Sequence, residues 1–83
     1  IMADFSFDKA MGRRIRALRE ERFLTQEQLS ARLQTRGCDV TRSALAKIEA
    51  GQRHIYAGEI AALREALGVS YDALFPARAD SST

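Results

Sequence analysis

The stretch 25–53, TQEQLSARLQTRGCDVTRSALAKIEAGQR, limits the possible folds most, because it holds two helix starts and a helix stop in close succession. Thr25 is placed to cap a helix, its hydroxyl accepting a hydrogen bond from a free amide of the first turn. Gln28, three residues on, can bond back to the cap and complete a capping box, and Leu24 with Leu29 makes a hydrophobic staple across it. Thr41 repeats part of this arrangement. Val40 and Leu45 take the staple positions there, while Ala44 leaves the box incomplete. The helix begun at Thr41 finds its stop at Gly51. Two short helices joined by a glycine-containing turn form one supersecondary unit.

The flanks add three more helices. Met11, Ile15 and Leu18 fall at i, i+4 and i+7, which predicts a first helix over 8–21, capped by Ser6 or Asp8, with arginines around its apolar stripe. Residues 1–7 are expected to be an arm, whose Phe5 and Phe7 either cover the bottom of the core or meet a second subunit. Phe23 then stands in a tight turn. A bulky residue in the left-handed conformation costs about 1–2 kcal/mol, so either the turn is built differently or packing fixes Phe23. The second helix turns Leu29 and Leu33 inward. From Leu33 to the cap at Thr41 is eight residues, long against the usual turn of about 3–4. One more helical turn through Gln34, Thr35 and Arg36, stopped by Gly37, would absorb the excess at about 1.5 Å per residue. The alternative is a loop over the same residues, and the longer helix is preferred because Gly37 is the one strong breaker there.

A fourth helix over 57–66 should face Ile60, Leu63 and Leu67 inward and close at Gly68, although Tyr56 offers no capping oxygen at its start. Ser70 caps a short fifth helix, Asp72 suits its dipole, Val69 and Leu74 staple it, and Pro76 ends it. Residues 77–83 read as a mobile tail. With 46% hydrophobic residues, few β-branched ones and the single proline at Pro76, the expected fold is all-α: one compact five-helix domain over 8–76.

Charge is distributed unevenly. The net charge is only +2, yet residues 9–22 carry six basic side chains against Glu20 and Glu21. Residues 41–53 carry Arg42, Lys47 and Arg53 against Glu49, and acids prevail from His54 onward. A basic front fits an anionic partner such as nucleic acid. Cys38 has no second cysteine to pair with, so a reducing, cytoplasmic setting is expected. No apolar run approaches the roughly 20 residues of a membrane span. One His and one Cys cannot build the usual zinc sites, and no glycine loop is present to cradle a phosphate. Neither an enzyme, a cofactor nor a small-molecule substrate is expected. Cys38 and His54 are expected to be merely exposed.

Gln26, Leu29 and Leu33, then Thr41, Leu45 and the Ile48-Glu49-Ala50-Gly51 run, resemble the lambda-repressor and Cro-like (XRE) helix-turn-helix family. The likeness extends to Ile15, Leu18 and Arg19 before them and to Ile60, Leu63, Leu67-Gly68-Val69-Ser70 and Leu74-Phe75 after, covering nearly all of 12–75. The lengthened link before Thr41 departs from it, as does Phe23, where the family has glycine or a small polar residue. Ser30 replaces the family's alanine, and its hydroxyl is expected to bond back to the preceding turn.

The resemblance implies a regulator of transcription, a repressor in the first instance, that reads the major groove of double-stranded DNA with the helix over 41–50. By position the family's DNA contacts carry over to Gln26, Thr41, Arg42, Ser43, Ala46, Lys47, Gln52 and Arg53. Arg42, Ser43 and Lys47 would read bases, with Ala46 against a thymine methyl. Gln26, Gln52 and Arg53 would grip the backbone. Arg13, Arg14 and Arg36 join them on charge alone. Arg19 and Glu49 match a structural ion pair of the family. A homodimer is expected, with Tyr71, Leu74, Phe75, Phe5 and Phe7 either forming its surface or simply closing the core. An alternative use of the same fold is a protein-interaction module, such as a toxin-binding antitoxin or an adaptor.

Overall fold

Five helices form in the computed structural model, which describes residues 6–76. They are α1 (Ser6–Glu21), α2 (Gln26–Thr35), α3 (Arg42–Glu49), α4 (Ala57–Leu67) and α5 (Tyr71–Leu74). Phe5 with the rest of 1–5, and the tail 77–83, lie outside the described residues. The first helix begins at Ser6, two residues earlier than the apolar stripe alone predicted, so Phe7 is helical rather than part of an arm.

The starts follow the capping residues. Thr25 accepts from the Gln28 amide at 3.0 Å while the Gln28 side chain accepts from the Thr25 amide at 2.8 Å. Thr41 Oγ1 accepts from the Ala44 amide and Ser70 Oγ from the Ala73 amide, each at 3.1 Å. At α4 the oxygen is supplied from inside the helix, since the Glu59 carboxylate accepts from the Tyr56 amide at 3.0 Å.

The stops of α1 to α4 share one device. At the end of α1 the Phe23 amide bonds the Glu20 carbonyl and the Leu24 amide bonds the Arg19 carbonyl, the paired bonds of a Schellman motif. Gly37 and Cys38 repeat it after α2, Gly51 and Gln52 after α3, Gly68 and Val69 after α4. Each motif needs a left-handed residue, and Gly37, Gly51 and Gly68 supply it at φ 79°, 72° and 68°. Phe23 does the same at φ 56° with its side chain 92% exposed. Packing does not fix it.

Met11, Ile15 and Leu18 of α1 meet Leu29, Leu33, Leu45, Ile48, Leu63, Leu67 and Leu74 in one core. Burying such a side chain contributes about 1.5–3 kcal/mol. Leu74 is therefore core and not surface. Long arginines tie the periphery down: Arg22 donates to the Leu67 carbonyl, Arg32 to that of Ala66 and Arg14 to that of Ala73. Cations there also complement the negative ends of α4 and α5.

Between α2 and α3, helix continues to Thr35, Arg36 caps it and Gly37 turns the chain. Ser30 is buried, and its hydroxyl does not take the available bond back within its helix. Its hydroxyl donates across the link to the Val40 carbonyl at 2.6 Å, a buried acceptor that the longer link brings within reach. Cys38 is likewise not an exposed thiol: it is half-buried against the core, and burial pushes its pKa up.

Candidate nucleic-acid interface

The interface candidates start from how α3 is held. Leu45 and Ile48 are fully buried, which fixes one face of the helix inward and turns Arg42, Ser43 and Lys47 outward to solvent. Ala46 lies at the edge of that outward face, half-buried. Thr41 is exposed at the N-terminus, its hydroxyl engaged as the cap.

Behind α3, Gly12 lets α1 approach closely, because a Cβ there would collide with the carbonyls of Ile48 and Glu49. Arg19 of α1 and Glu49 of α3 form a bidentate, buried pair: Nε donates to Oε2 at 2.7 Å and Nη2 to Oε1 at 3.0 Å. Arg19 Nη1 also donates to the Leu24 carbonyl at 2.7 Å. The hydrogen bonds to Glu49 raise the Arg19 pKa further despite burial. Gln26, at the first turn of α2, donates from its amide to Glu49 Oε1 at 3.0 Å. One carboxylate therefore joins α1, α2 and α3. Removing either charge of such a buried pair strands the other at a cost of about 3–5 kcal/mol.

Gln52 is exposed just past α3. Arg53 is half-buried and already engaged: Nη1 and Nη2 reach both Glu59 oxygens at 3.0 and 2.8 Å, and Nη1 also donates to the His54 carbonyl. Three of its five N–H donors are thus used, leaving Nε–H and one Nη2 hydrogen for another ligand. Burial alone would raise the Glu59 pKa, but the bonds from Arg53 and the Tyr56 amide, with the Arg53 charge, outweigh it and hold the carboxyl below its ordinary value. His54 Nδ1 lies 2.7 Å from the buried Asp8 carboxylate, which ties the segment after α3 to the start of α1. Neither contact was readable from spacing, since the partners lie on different elements.

Of the looser candidates, Arg14 is turned to α5, and Arg36 lies 3.8 Å from Glu65 of α4. Arg13 is exposed. Among the described residues no group of three or more His, Cys, Asp or Glu side chains is arranged to hold a metal ion, and no helix is long and apolar enough to cross a membrane.

Three solved structures share this fold. The restriction-modification controller protein C.AhdI from Aeromonas hydrophila is 30% identical, with a TM-score of 0.76 over 86% of this chain and 96% of that one. The clp gene regulator ClgR from C. glutamicum matches at 22% identity and a TM-score of 0.73, covering 82% of each chain. The DNA-binding domain of BldD matches at 20% identity and a TM-score of 0.73, over 89% of this chain and all of that one. These last two show the shared fold. No curated protein sequence matches the chain. The family model described as a helix-turn-helix domain matches residues 12–77, most of the chain, and the chain belongs to that family.

Proposed function

We propose that the protein is a sequence-specific, double-stranded DNA-binding regulator of transcription that enters the major groove with α3. The observation that carries this reading is the outward face of α3, where Arg42 and Lys47 are exposed and make no ion pair or hydrogen bond within the described residues. Arginine and lysine donate to guanine O6 and N7, and serine reads several bases, so Arg42, Ser43 and Lys47 are assigned base contacts and Ala46 a thymine methyl. Gln26, Thr41, Gln52 and the remaining donors of Arg53 are assigned to phosphates, helped by the free amides at the helix starts. Repression by occupying an operator is the proposed mode, in the cytoplasm.

A single module offers only about 600–1,000 Å² to DNA, so a two-fold dimer on half-sites about 34 Å apart is proposed. Phe7, Tyr71 and Phe75 form the surface for it: they are exposed, with ring centroids 6.0 Å (Phe7–Phe75) and 6.3 Å (Tyr71–Phe75) apart.

Selection of binding sites from random duplexes tests all of this together and should return an inverted repeat. On that operator, Arg42→Ala and Lys47→Ala should each lose about 1–3 kcal/mol of binding with the fold intact. Unaltered affinity in both variants would remove the recognition assignment. Failure of the parent to bind any duplex would favour the protein-interaction reading.

A further inference from the structure

Most basic side chains of this protein serve its own architecture. Arg14, Arg22 and Arg32 hold carbonyls, Arg19 and Arg53 hold buried or half-buried carboxylates, and Arg16, Arg36 and Arg64 bond locally. Among the described residues the cations left without a hydrogen bond or ion pair are Arg42, Lys47, Lys9 and Arg13. The first two lie on α3. The other two are exposed on α1, four residues apart and hence on one side of it.

Two further observations single out the α1 pair. The stem of Lys9 runs over the end of α3, so close that a Cβ on Gly51 would stand 2.5 Å from Lys9 Cγ and 2.8 Å from Lys9 Cα. Gly51 closes the turn at the C-terminal end of α3, so Lys9 lies beside the end of the helix that carries Lys47, and Arg13 follows one turn along α1. Lys9 also sits in the first turn of α1, where a cation opposes the helix dipole. The acid of that turn, Asp8, is turned to His54. Neither the helix dipole nor an ion pair with Asp8 therefore accounts for a charge at Lys9.

We propose that Lys9 and Arg13 form a phosphate clamp, holding the DNA backbone that flanks the groove entered by α3. The clamp rests on the reading of α3 as the recognition helix. Its ligand is the phosphodiester chain, so it adds affinity for any sequence and orients the domain without choosing bases.

The test uses the double variant K9Q/R13Q, which keeps the Cβ and Cγ of each stem and removes both charges, with K9R/R13K as the charge-preserving control. Binding of parent and variants is measured on the selected operator and on a random duplex across a salt series. With two phosphates no longer neutralised, the log–log salt slope should become shallower by about 1.8, at about 0.9 per phosphate. Affinity should fall by the same factor on both duplexes, thermal stability should be equal or slightly higher, and K9R/R13K should restore the parent slope. A K9Q/R13Q slope equal to the parent's, or a loss confined to the operator, overturns the clamp while leaving α3 recognition in place. A parent that binds no duplex removes both.

Discussion

Phe23 occupies a position that three glycines fill elsewhere in this molecule. Its φ of 56° is a left-handed conformation for which a side chain brings a cost of about 1–2 kcal/mol, and at 92% exposure nothing in the fold repays it. Phe23→Gly removes the clash and loses no packing, although glycine adds some backbone entropy to the unfolded chain. The expected net gain is about 1 kcal/mol, read as a rise in the thermal midpoint of several degrees. A lower midpoint would mean that the aromatic ring contributes a contact in solution. The turn itself was legible in the sequence, but its conformation was not, because a phenylalanine in this place gives no sign of whether the turn adapts to it or it adapts to the turn.

The starts of the elements show where sequence patterns carry and where they stop. Thr25 with Gln28 announced α2 because cap, box and staple all lie within a few residues. α4 has no such cap at Tyr56, and its start is completed by Glu59, whose carboxylate also holds Arg53. That arrangement makes the start of α4 sensitive to acid. Since the folded pKa of Glu59 lies below its ordinary value of 4.5, its contribution is complete above about pH 4.5 and is lost as the pH falls through the folded value. Glu59→Gln should thus be less stable than the parent at neutral pH, with the gap closing below that range in urea titrations. A gap independent of pH would exclude the pair as its source. Neither the Arg53–Glu59 pair nor the Ser30–Val40 bond could be read from spacing, because each depends on how two elements dock.

At the scale of the molecule, the fold was more legible than the surface. Period, caps and stops are local, and all five helices follow from them. The assignment of cations was not local: Arg13 and Arg14 are neighbours in sequence, yet Arg14 is consumed by the Ala73 carbonyl and Arg13 remains exposed and unbonded. The stops of α1 to α4 also bear on how the chain reaches this state. Every one is closed by hydrogen bonds between residues no more than five apart, so each helix can settle its own length before it meets another. What remains is the docking of short helices whose limits are encoded locally, a search with little loop entropy to overcome and few false registers. Refolding should be complete within milliseconds in stopped-flow or temperature-jump measurements, and a dominant phase lasting seconds would contradict it.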